Sequence, residues 1–225
     1  MRSKAILALV CGMLLPALCS CVPAKKQGSP DAIRLCRFVR NSELDKLQQE
    51  IDSGTPLDEL ASDGKAALHI AAELNNVEAA RMLIEGGADI EVQDWRADVT
   101  PVGFAVHHKA HEVTELLLDK RADPYQTGYS EMSVILLAMT ADDYEMVKKL
   151  IDRGVDIDDS DRGGDTPLHY SVVPVFDIKY FDLLIQSGAD TTARNAFGES
   201  VYEYAVKMKA SPERLEYIRR YLPEH

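Results

Sequence analysis

The sequence predicts an all-α solenoid, built from helix–turn–helix units stacked side by side and joined by short β-hairpin-like loops. Three observations predict it. A glycine follows each leucine-rich stretch, at Gly54, Gly87, Gly154 and Gly188, with Arg121 in the one missing place, so the mark recurs every 33 or 34 residues. A small residue keeps an independent beat at the same spacing, at Ala71, Ala105, Ala138, Ser171 and Ala205. Each unit also opens on Thr-Pro or a relaxed version of it: Ala66-Ala67, Thr100-Pro101, Ser133-Val134, Thr166-Pro167 and Ser200-Val201. A fixed period of this length marks one supersecondary unit repeated along the chain. A single unit cannot bury its apolar stripe, so neighbours must stack into a continuous core.

Within a unit, each element follows from its residues. Thr or Ser caps the first helix, and Pro suits its first turn because it has no N–H to leave unpaired. The small residues of Leu68-His69-Ile70-Ala71-Ala72 let a second helix approach closely. A polar break, such as Asn75-Asn76, Lys109-Ala110 or Asp142-Asp143, leads into that second helix. Its apolar ridge reads Met82-Leu83-Ile84, Leu116-Leu117-Leu118, Leu150-Ile151 and Leu183-Leu184-Ile185. Glycine in the left-handed conformation then stops it. Three departures stand out. Arg121 replaces that glycine, Asp98 replaces a glycine of the hairpin tip, and Pro174 with one extra residue shortens the first helix of the fifth unit.

The ends read as caps. Residues 31–60 hold a degenerate unit in which Leu44, Leu47 and Ile51 keep helical spacing among polar neighbours. Residues 198–222 repeat the first helix, then offer Pro212 and an Arg- and Tyr-rich helix. A polar outer face is what terminal units of a solenoid need.

Gly164-Asp165-Thr166-Pro167-Leu168-His169 and Gly86-Gly87-Ala88-Asp89 resemble ankyrin-repeat signatures. The resemblance covers 31–222, about five repeats plus a C-terminal capping unit, and is clearest at 64–96, 98–130 and 164–196. It implies that His69 and His169 are structural, their imidazoles hydrogen-bonding neighbouring turns.

Ahead of this domain, Arg2 and Lys4 precede an apolar run from Ala5 to Leu18, the pattern of a secretory signal. An ordinary cleaved signal and an uncleaved membrane helix are the competing readings, although Gly12 and Pro16 and the short length count against a span. Leu18-Cys19-Ser20-Cys21 resembles a bacterial lipobox. That resemblance implies a signal at 1–20, acylation of Cys21 as the lipidation site, and a tether over 21–30 that includes Pro23 to Pro30. Val22 in place of Asp after the cysteine implies an outer-membrane lipid anchor, with the domain facing the periplasm. Removing 1–20 takes Arg2 and Lys4 and no acid, moving the formal charge from −12 to −14. Cys36 then stands without a disulfide partner, and its place between Leu35 and Phe38 predicts burial.

Composition narrows the function. A chain of 225 residues, 46% apolar and 28% charged, excludes collagen-like, wholly disordered and multi-span membrane classes. A charge of −12 opposes binding to a nucleic-acid backbone. No phosphate loop, dinucleotide fingerprint or nucleophile elbow is present. His107-His108-Lys109-Ala110-His111-Glu112 is the one cluster with a chemical look, but the repeat phase puts a helix end and a turn there, and it lacks the HExxH of a zinc protease. No catalytic residue, metal or cofactor is expected.

What remains is a surface. The family binds proteins through its hairpin tips and the concave palm of its inner helices. By position, the tips carry Asp63 and Lys65, Trp95, Arg96 and Val99, Tyr129 and Met132, and Arg162 and Asp165; the palm carries Glu73 and Leu74, His107 and His108, Thr140 and Val173. Trp, Tyr and Arg are over-represented in binding hot spots. The expectation is a monomeric, non-enzymatic, lipid-anchored scaffold for another protein, with a basic patch on that partner. The alternative is a periplasmic inhibitor or immunity-type protein that occludes an enzyme's active site.

Overall fold

The computed structural model describes residues 28–128 and 132–222, which form two compact units. The expected signal at 1–20, Cys21 and most of the expected tether lie outside the described residues, as does Tyr129.

Residues 28–128 hold six helices: α1 (Pro30–Arg40), α2 (Leu44–Asp52), α3 (Ala67–Glu73), α4 (Val77–Glu85), α5 (Pro101–His107) and α6 (His111–Asp119). Helix α3 packs on α1 and α5, so these three form one row, while α4 packs on α2 and α6 to form the other. Residues 132–222 hold α7 (Val134–Thr140), α8 (Tyr144–Asp152), α9 (Pro167–Ser171), α10 (Lys179–Gln186), α11 (Val201–Lys207) and α12 (Pro212–Ile218). There, α9 packs on both α7 and α11. Among the described residues there is no strand, only an isolated antiparallel bridge between Arg194 and Ser200. The all-α solenoid is therefore the observed class. No described helix is long and apolar enough to cross a membrane.

The first and second helices of a repeat are built differently because their sequences differ. Every residue of α7 is buried, as are six of the seven in α3 and α5. A helix apolar all round belongs inside. The second helix of a repeat buries one face only: Ala79, Ala80 and Leu83 in α4, Val113, Leu116 and Leu117 in α6, and Met146, Val147 and Leu150 in α8. Thr100 and Thr166 cap in extended conformation with Pro101 and Pro167 at the first helical turn. Helix α9 has five residues where α3, α5 and α7 have seven, as Pro174 predicts.

The glycine mark also has its expected cause. Gly54, Gly87, Gly154 and Gly188 have φ of 79°, 94°, 81° and 89°, and Arg121 holds the same left-handed conformation at 70°. Asp98, at the hairpin tip, sits at φ 54°. Lys109 at φ 57° separates α5 from α6, so no single helix carries His107 and His111.

Candidate functional site

Among the described residues, four hairpin tips are closed by a backbone hydrogen bond across the base. The N–H of Ala61 donates to Lys65 O at 2.9 Å, that of Asp94 to Val99 O at 3.0 Å, that of Asp161 to Asp165 O at 3.2 Å, and that of Asn195 to Glu199 O at 3.0 Å. Asp and Asn at the opening position add side-chain bonds. Asp94 Oδ1 accepts the Val99 N–H at 2.8 Å, and Asp161 Oδ1 accepts those of Gly163 and Asp165 at 2.8 and 3.0 Å. These short polar side chains mimic a backbone turn. Successive tips are also tied: Trp95 N–H reaches Gly64 O at 3.3 Å, and Ala196 N–H reaches Gly163 O at 2.9 Å.

In the unit of residues 28–128, Lys65, Glu73, His107 and His108 come together around Phe104. The Lys65 ammonium pairs with Glu73 and lies 4.8 Å from the Phe104 ring centre. His108 stacks on that ring at 6.1 Å, and His107 meets His108 edge-on at 5.2 Å. Burial holds both imidazoles below their ordinary range. Leu74 is half exposed beside them, and Asp63 pairs with Arg40 at 2.8 Å. The Arg96 guanidinium lies 5.5 Å from the Trp95 ring centre.

Not every expected contact residue reaches solvent. Val99, Met132, Thr140 and Val173 are buried, and Asp165 is 9% exposed. Val99 packs against Gly103, and the Thr140 hydroxyl donates to Leu137 O at 2.8 Å within its own helix. A repeat position fixes where the backbone runs, not which way the side chain turns. Trp95 likewise folds back over Gly64 and is only partly exposed.

The unit of residues 132–222 contains a cup of about 470 Å³ between its hairpin tips and the helices α9 and α11. Its walls include Tyr170, Phe176, Phe197 and Tyr204, with Asp161 and Asp165 at one side and the exposed Arg162 at the rim. Mostly apolar lining with a few placed polar groups is the usual make-up of a ligand-sized cavity. The Tyr170 hydroxyl donates to Asp161 Oδ2 at 2.7 Å, and Asn195 Nδ2 donates to Asp165 Oδ1 at 2.9 Å. Burial raises the Asp165 carboxyl above its usual range, and burial with the neighbouring carboxylates raises the Tyr170 and Tyr204 phenols. The shortened α9 makes room, because the chain leaves the helix after Ser171 and lays Val173 and Phe176 along the cavity.

Of the expected residues, the cup gathers Arg162, Asp165 and Val173. Sequence reasoning missed Asp161, Phe197, Tyr204 and Lys207. The signal was there: Asn195-Ala196-Phe197-Gly198-Glu199 is a hairpin tip in phase with Asp161 to Asp165, but it falls at the edge of a stretch read as a cap. Among the described residues, no three His, Cys, Asp or Glu side chains are grouped to hold a metal ion.

Comparison with known proteins agrees with this architecture. The family model for ankyrin repeats in three copies matches residues 34–128 and 102–195. Among curated proteins, ankyrin repeat protein FPV031 of fowlpox virus is 29% identical over 135 residues, covering 59% of this chain and 40% of that one. An ankyrin repeat-containing protein of Treponema pallidum is 36% identical over 88 residues, covering 39% of this chain and 29% of that one. The chain thus spans less than half the length of either relative. Among solved structures, the ankyrin repeat domain of Bcl-3 superimposes with a TM-score of 0.72 at 22% identity, over 83% of this chain and 81% of that domain. A chain in the complex of the predatory endopeptidase Bd0816 from Bdellovibrio bacteriovorus with immunity protein Bd3460 superimposes with a TM-score of 0.62 at 20% identity, over 85% of this chain and 99% of that one. With the period and the paired helices already in place, the family match over most of the chain makes this protein a member of the ankyrin-repeat family.

Proposed function

We propose that the protein is a non-enzymatic scaffold, anchored through an acylated Cys21 to the bacterial outer membrane, that grips a partner protein with its hairpin tips and inner helices. The observation that carries the binding reading is the cup beside Phe197, an aromatic side chain left 76% exposed at a tip. Rings of this kind, set beside a partly desolvated cavity, supply binding energy that scattered surface residues do not. The charge of −14 left after removal of residues 1–20 steers a partner with a basic patch and works against nucleic acid. The lipid anchor rests on Leu18-Cys19-Ser20-Cys21 and the apolar run before it.

A photo-crosslinking side chain at Phe197 or Arg162 tests the site, with one at Lys148 on the exposed face of α8 as control. The expected result is one partner captured from the tip positions and not from Lys148; equal labelling from all three places the contact elsewhere. Cys21→Ser tests the anchor, because an unlipidated precursor should accumulate, and undiminished fatty-acid labelling would refute it. A second reading, an immunity-type inhibitor, is favoured by the likeness to a chain of the endopeptidase–immunity protein complex. It requires the captured partner to be an enzyme that loses its activity at a stoichiometric ratio.

A further inference from the structure

We propose that the cup in residues 132–222 receives an arginine side chain presented by the partner protein, with Asp161 and Asp165 as its counter-charges and the rings of Phe197 and Tyr204 as its walls. This rests on the protein-binding reading and gives that contact its chemistry.

Asp161 and Asp165 are 6% and 9% exposed, and among the described residues no lysine or arginine pairs with either. Two carboxylates withdrawn from water without a cation are costly unless something compensates them. Their present partners are neutral donors: backbone N–H groups and Tyr170 for Asp161, and Asn195 and the Tyr204 hydroxyl for Asp165. A carboxylate has about four acceptor positions, more than the donors that reach either residue, and both line the cavity. Two cations line the cup: Lys207 is engaged by Glu199, with its ammonium 2.7 and 2.8 Å from the two carboxylate oxygens, and Arg162 is exposed at the rim.

The same lysine shows what the rings can do. Its nitrogen lies 5.0 Å from the Phe197 ring centre and 6.0 Å from that of Tyr204, so two walls of the cup already turn their faces to a positive charge. Such faces attract cations, most strongly where water is excluded. Guanidinium fits better than ammonium here. It is flat, stacks on rings, is weakly hydrated, and forks two N–H groups onto a carboxylate. Burial raises the Asp165 carboxyl at present, and a guanidinium beside it would reverse that displacement.

The test follows the tyrosine and phenylalanine ring signals of the full-length protein by NMR during titration with N-acetyl-arginine-N-methylamide. Its uncharged analogue built on citrulline runs in parallel. Saturable shifts of the Tyr204 and Phe197 signals are expected with the arginine compound alone. Asp165→Asn should weaken its binding about tenfold, as loss of a charge-assisted hydrogen bond does. Phe197→Ala, at an exposed position that does not threaten folding, should weaken it roughly threefold. Equal binding of the citrulline compound, no saturable shift, or indifference to both substitutions overturns the proposal. If the arginine compound fails while crosslinking from Phe197 still captures a partner, the arginine assignment falls and the protein-binding reading stands. If it binds as described while no partner is captured from any tip, the scaffold reading fails on its own.

Discussion

The Nε2–H of His69 donates to the carbonyl oxygen of Val99 at 2.9 Å across thirty residues of sequence, while Nδ1 of the same ring accepts the Ala66 N–H at 3.1 Å. His169 repeats the arrangement, with Nδ1 accepting from Thr166 and Nε2 donating to Glu199 O at 3.3 Å. One neutral imidazole thus caps its own helix and fastens the next hairpin tip. Both rings have no exposed surface.

This arrangement carries a stability cost on acidification. Burial lowers both imidazoles from their ordinary value of 6.5. The unfolded chain takes up protons near that value while the folded chain does not, so stability is full above it and declines as pH falls toward the lowered folded value. His169→Ala should cost about 2–3 kcal/mol near neutrality, from two buried backbone groups left unpaired. In urea titrations, the gap between the wild type and this variant should narrow between about pH 7.5 and about pH 5.5, because only the wild type loses the neutral ring's contribution. A constant gap would mean that the ring titrates normally.

Arg121 supplies the opposite sign. It is exposed and held at φ 70°, where its counterparts are glycines. The left-handed conformation costs an L-residue on the order of 1 kcal/mol. Arg121→Gly should therefore raise stability by up to about 1 kcal/mol, part of the gain being offset by the greater freedom of glycine in the unfolded chain. A lower urea midpoint would show that the arginine side chain makes a contribution larger than the strain.

Helix phase, caps and stacking were legible because each rests on a local rule repeated five times: Thr166 before Pro167 starts a helix, and Gly188 ends one, whatever surrounds them. The candidate site was legible only in its backbone. Val99 and Trp95 sit at tip positions as expected, yet one packs on Gly103 and the other lies over Gly64. Rotamer direction depends on neighbours that sequence spacing does not name. The cup was invisible for a related reason. It needs Asp161, Tyr170, Phe197 and Tyr204, drawn from two repeats, and the loop that follows a prematurely ended α9.

Cys36 should be chemically silent while the protein is folded. It is 1% exposed, its sulfur lies 3.7 Å from Lys65 O, and burial pushes its thiol up to about 12. The thiolate is the reactive form. Labelling by a soluble disulfide reagent at mildly alkaline pH should be slow in the native protein and prompt in denaturant. Prompt labelling without denaturant would show that α1 opens readily at the edge of its unit.

Gly164 joins the stacking of repeats to the shape of the cup. At φ 73°, a Cβ added there would meet the backbone nitrogen of Ala196 at 2.6 Å, a distance that neither backbone can accept unmoved. That nitrogen donates to Gly163 O at 2.9 Å, the bond that holds the two tips carrying Asp165 and Phe197 side by side. Gly164→Ala should therefore cost about 2–3 kcal/mol, from left-handed strain plus displacement of packed backbone. It should also weaken binding at the cup more than Gly198→Ala does. Gly198 has a similar φ of 76° but nothing within 4 Å of its added Cβ, so that substitution reports strain without the clash. Equal losses of stability and binding from the two alanines would mean that strain alone matters and that the spacing of the tips does not shape the cavity.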